Sequence, residues 1–100
     1  MNTQHDEHAT PVIFRKFKTG EVIALFPQEP GTRDPYTCMN YMRTGQHGHG
    51  SADLGDTVPA APDECVALFK ELTGLGYRLS VRFRFTQRDL EARRKALVRP

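Results

Sequence analysis

A chain of 100 residues with 38% hydrophobic and 26% charged side chains has the balance of one small globular domain and leaves no room for a second. The longest apolar run, Val22 to Phe26, falls far short of the roughly 20 residues a membrane-spanning helix needs, and Met1 to Pro11 lack the apolar run of a secretory signal. Net charge is only +2, yet residues 1–77 carry six basic and ten acidic side chains while residues 78–100 carry eight basic and two acidic, so the C-terminal quarter is a cationic segment.

Residues 1–11 read as a disordered polar tail ahead of a domain spanning 12–86. Val12 to Lys18 and Glu21 to Phe26 are rich in β-branched and aromatic residues and meet at Thr19-Gly20, a pattern that predicts a β-hairpin. Its second arm is apolar on both faces, as in a central strand covered on at least one side. Pro27 to Pro35, with three prolines and a glycine, predicts a rigid irregular connection crossing an edge of the sheet. Tyr36 to Arg43 can form a third strand with Tyr36, Cys38, Asn40 and Met42 on one face and Thr37, Met39, Tyr41 and Arg43 on the other, and the sequence leaves open which face is buried.

Thr44 to Ala61 shows no periodicity and reads as a long loop, with His47 tethered next to the strand and Ser51 to Ala60 mobile. Pro62 suits the first position of a helix, Asp63 and Glu64 complement its dipole, and Cys65, Leu68, Phe69 and Leu72 make one stripe, so a helix is expected over Pro62 to Thr73 with Gly74 or Gly76 ending it. Leu79, Val81, Phe83 and Phe85 alternate with Arg78, Ser80, Arg82 and Arg84, predicting a half-buried strand with one greasy and one cationic face. Thr86 and Asp89 form a capping-box pattern that opens a basic helical extension over 87–100, with a thin apolar stripe of Leu90, Ala96, Leu97 and Val98. The fold class is therefore α+β: an antiparallel sheet in β-β-β-α-β order, one helix across a face and a basic helical tail. A parallel pair is an alternative, because the helix can serve as a crossover.

The segments Ile13-Phe14-Arg15-Lys16-Phe17-Lys18, Val22-Ile23-Ala24-Leu25-Phe26-Pro27 and Tyr36-Thr37-Cys38-Met39-Asn40-Tyr41-Met42 with Gly45-Gln46-His47-Gly48 resemble a small uncharacterised bacterial protein family. The resemblance covers roughly residues 12–85 and implies a short cytoplasmic protein. It carries no activity or ligand.

Cys38 and Cys65 have no paired spacing, so reduced cytosolic thiols are expected, and Cys38 would act as a nucleophile only if His47 came near it. The glycines around Gln46, His47 and His49 would let backbone amides approach a ligand, with Asp53 or Asp56 as a third group for a metal; two histidines at i, i+2 are too few by themselves. His5 and His8 with Asp6 and Glu7 form a second potential cluster in the tail. No cofactor and no bound metal are expected. Arg78, Arg82 and Arg84 on one strand face, continued by Arg93, Arg94 and Lys95, form the candidate binding residues together with Gln46 and His47, and Arg15 or Lys16 can join them if the hairpin lies near. No recognised RNA- or DNA-binding signature accompanies this charge. The expectation is a non-catalytic binding or regulatory module whose basic C-terminal face meets an anionic partner, nucleic acid or acidic protein, with no membrane partner. The alternative is a small enzyme or metal-dependent site at loop 45–51.

Overall fold

The computed structural model of the chain describes residues 9–42, 46–51 and 55–98. It is an α+β fold: β1 (Thr10–Phe17), β2 (Val22–Phe26), β3 (Thr37–Met42), β4 (Gln46–Ser51), β5 (Thr57–Pro59), α1 (Pro62–Gly74), β6 (Leu79–Arg82) and α2 (Gln87–Leu97). Five strands run antiparallel in the order β4-β3-β2-β1-β5, and β6 pairs parallel with β1. The outer edge of β1 is thus divided, Thr10 to Ile13 to β6 and Arg15 to Phe17 to β5.

The hairpin forms where expected. The Gly20 N–H donates to the Phe17 carbonyl at 2.9 Å, and Gly20 has φ +96°, a conformation that a side chain disfavours. One proline sits where the ladder needs no donor. Pro59 lies opposite Arg15, whose N–H faces β2 rather than β5, so its missing N–H breaks no pairing.

Strand alternation assigns two cores to two faces. Val12, Phe14, Ala24, Phe26 and Tyr41 pack under Leu68 and Leu72 of α1, while Ile13, Ile23, Leu25 and Cys38 form a second cluster on the opposite face, joined by Phe85. The face question left open for β3 is thereby answered: both sides are used, Tyr41 against α1 and Cys38 beneath the C-terminal segment. Tyr77 stacks on Phe26 with centroids 5.3 Å apart.

α1 starts with Pro62, and the Glu64 carboxylate accepts from the Ala61 N–H at 2.8 Å. It ends in a Schellman motif, in which Gly76 (φ +105°) donates to Thr73 O and Tyr77 to Leu72 O. Gly76, not Gly74, is the terminating glycine. Lys16 Nζ meets Glu64 Oε2 at 2.5 Å and Tyr41 donates to Glu71, tying the helix to β1 and β3.

Two readings are corrected. The segment expected to be one long loop, Thr44 to Ala61, contains β4 and β5. Its glycines and histidines have low strand propensity, and the ladder with β3, running from Thr37↔Ser51 to Met42↔Gln46, overrides that. The last strand ends at Arg82, so Phe85 does not share a face with Leu79, Val81 and Phe83; the bend at Phe83-Arg84 carries it to the opposite cluster. Thr86 caps α2 as its pattern implies, accepting from Asp89 N at 3.3 Å while Asp89 Oδ2 accepts from Thr86 N at 2.8 Å.

Candidate functional site

The predicted cationic residues divide into those bound within the fold and those facing solvent. Arg82 directs its fork onto Asp89, Nη1 to Oδ1 at 2.8 Å and Nη2 to Oδ2 at 2.5 Å, and Asp89 is fully buried. Gln28 Nε2 at 3.2 Å completes the shell of that carboxylate. Arg93 is 4% exposed; its Nε donates to Pro35 O at 2.6 Å, its Nη1 donates to Pro27 O, and its guanidinium lies 5.8 Å from the Phe85 ring centroid. It clamps both ends of the proline-rich connection. Arg94 donates to the Tyr36 hydroxyl at 3.1 Å on the surface and stacks over that ring. Arg78, Arg84 and Lys95 are exposed. Arg15 points away from this group, bonding Thr57 through Oγ1 at 2.9 Å and the carbonyl at 2.8 Å.

β4 places Gln46 opposite Met42, His47 opposite Tyr41 and His49 opposite Met39, so both histidines belong to an edge strand. Asp53 and the cluster of His5, Asp6, Glu7 and His8 lie outside the described residues, as do Arg43 and Gly45. Among the described residues no group of three or more His, Cys, Asp or Glu side chains is placed to hold a metal, and no helix is long and apolar enough to cross a membrane.

The sequence pattern did not expose what the α1 face of β6 forms. Val81 is 44% and Phe83 73% exposed, and with Val66 and Phe69 of α1 they line an open groove of about 460 Å³ whose floor includes Phe14 and Ala60. That volume lies within the range of ligand-binding clefts. Its lining contains two charged residues, Lys70 and Arg82, both cationic, and Arg82 is already neutralised by Asp89. A signal for it was present: Val66 and Phe69 follow Pro62 on one side of the helix, beside the Leu68 and Leu72 stripe, giving α1 a wider apolar arc than one sheet face covers.

The two thiols differ. Cys38 is fully buried, and burial pushes its thiol up to about 11 despite the opposing charge of Arg93. Cys65 lines the groove and donates to Ala61 O at 3.2 Å; burial and then the charges of Glu64 and Asp63 raise its pKa as well. Native protein treated with iodoacetamide at pH 8 should therefore take up one label, slowly and at Cys65, and a second only in denaturant. Peptide mass spectrometry reads this directly, and equal labelling of both thiols in the native state would contradict the burial of Cys38.

With the geometry in place, comparison with known proteins adds no relative: no family model, curated protein or solved structure matches the chain.

Proposed function

We propose that the chain is a non-catalytic docking module for an acidic, apolar segment of a protein partner. The observation that carries this reading is the exposed groove between α1 and β6, whose charged lining is cationic only. An apolar concavity contributes affinity by burial, and Lys70 in its lining favours a chain that carries carboxylates over a neutral one. The cationic C-terminal segment keeps the role expected of it, attraction of an anion, but with Arg82 and Arg93 bound internally that role rests on fewer side chains. Nucleic acid is the competing partner, and it would use α2 through Arg94 and Lys95.

Fluorescence anisotropy separates the two. A labelled peptide of alternating glutamate and valine should bind, weaken with added salt, and lose about tenfold or more in affinity in Val66→Glu, which places a carboxylate in the groove, while Arg94→Glu and Lys95→Glu change it by less than about threefold. A labelled oligothymidylate that binds more tightly than the peptide, and responds to the α2 substitutions rather than to Val66→Glu, would replace this reading with the nucleic-acid one.

A further inference from the structure

The groove lies beside a strand edge with unused backbone groups. In the parallel ladder Thr10 is opposite Leu79 and Val12 opposite Val81, and the Thr10 N–H donates to Arg78 O at 2.6 Å. Parallel pairing bonds each such residue of β1 to the two flanking residues of β6, so Arg78 O, Ser80 and the Arg82 N–H face β1. The N–H and C=O groups of Leu79 and Val81 consequently face away, and no other strand pairs with β6 among the described residues. The side chains at these positions border the groove, Leu79 packed against the α1-side core and Val81 lining the opening. Backbone hydrogen-bonding capacity and an apolar receptacle therefore occur at the same two residues.

We infer that the partner segment binds by adding an antiparallel strand to the outer edge of β6, with alternate apolar side chains entering the groove beside Val66, Phe69 and Phe83. This deepens the docking reading above and rests on it. Charge selects the occupant. Arg78 and Arg84, both exposed, flank the two ends of β6 on the face away from the groove, with Ser80 and the Asp89-bound Arg82 between them. A second copy of this chain pairing antiparallel through the same edge would set arginines across from arginines, and like charges facing across a ladder are destabilising. A strand with acidic residues between its apolar ones puts carboxylates there instead. Added strands draw affinity from main-chain bonds and selectivity from alternate side-chain pockets, and both components are present at β6.

The geometry makes a sharp demand on the peptide. Residues directly opposite Leu79 and Val81 in an antiparallel pair direct their N–H groups back toward β6 and their side chains to the same face as Leu79 and Val81, into the groove. In the peptide Glu-Val-Glu-Val-Glu-Val-Glu these are the valines. N-methylation of two valines should lower affinity by at least about tenfold, whereas N-methylation of two glutamates, whose N–H groups face solvent, should leave it within about threefold. Amide exchange of the unmodified complex, followed by NMR, should slow at Leu79 and Val81 and stay unchanged at Ser80, which is already bonded to β1. Binding that is lost in Val66→Glu but indifferent to the position of methylation, with no protection at Leu79 and Val81, would overturn strand addition while leaving the docking groove intact. Failure of the unmodified peptide to bind at millimolar concentration would overturn both. Concentration-dependent dimerisation of the protein alone, with protection at those two amides, would overturn the acidic occupant in favour of a second copy.

Discussion

Asp89→Ala should lower the thermal midpoint by more than about 10 °C, the combined result of roughly 2–4 kcal/mol lost at a buried ion pair and a helix cap in a domain of this size. The carboxylate is fully buried and accepts four hydrogen bonds, two from Arg82, one from the Thr86 amide and one from Gln28. Its removal unseats β6, the entry to α2 and the start of the Pro27–Pro35 connection together. Burial alone would raise the carboxyl pKa; the hydrogen bonds from Arg82, Thr86 and Gln28 and the Arg82 charge outweigh it and leave Asp89 below the usual carboxylate range. A folded pKa below the unfolded one contributes stability that is fully present above about pH 4 and is lost as pH falls through the folded value. The gap in midpoint between wild type and Asp89→Asn should therefore be wide at pH 7 and close at lower pH. A gap that persists unchanged at pH 2 would show that the charge is not what holds the site. Arg82→Met should also destabilise, because it leaves the fully buried Asp89 carboxylate without its counter-charge, and its effect should add little to that of Asp89→Ala.

Arg93→Ala should cost about 2–4 kcal/mol in urea unfolding, while the adjacent Arg94→Ala stays within about 0.5 kcal/mol. Sequence proximity would make these two arginines equivalent members of one basic patch, but their environments differ. Arg93 is buried and satisfies the carbonyls of Pro27 and Pro35, which carry the chain out of β2 and toward β3; truncation leaves both carbonyls without a donor beneath a void next to Phe85. Arg94 stacks on an exposed tyrosine. Lysine should not rescue Arg93, since a single ammonium cannot span two carbonyls as the planar fork does. Equal destabilisation by the two alanine variants would mean that the clamp contributes nothing particular.

The elements that a strong local pattern specifies were legible in the sequence: the Thr19-Gly20 hairpin, the helix opened by Pro62, and the capping box at Thr86 and Asp89. The strands that local pattern does not specify were missed. Gln46 to Ser51 holds no Val, Ile, Thr, Phe, Tyr or Trp, and Thr57 to Pro59 is only three residues long; both exist through pairing with β3 and β1, information that is non-local. The alternation from Arg78 to Phe85 holds only as far as Arg82, where the strand ends, and within it the two faces are only partly used as expected. Part of the greasy face, Val81 and Phe83, opens to solvent, and Arg82 of the cationic face is consumed by an acid seven residues on. Periodicity distinguishes two faces; it does not say which of them the rest of the chain will cover.

The parallel pairing of β6 with β1 also sets a constraint in time. The first strand of the sheet waits for the last, so during vectorial synthesis the outer edge of Thr10 to Val12 and the apolar cluster of Ile13, Ile23, Leu25 and Cys38 stay uncovered after α1 has already emerged. The interval between the emergence of α1 and that of α2 is the window of greatest exposure to wrong partners. A message cut short in that interval yields a polypeptide with a bare apolar sheet face and an open edge, a substrate for chaperones and proteases rather than a smaller version of the fold.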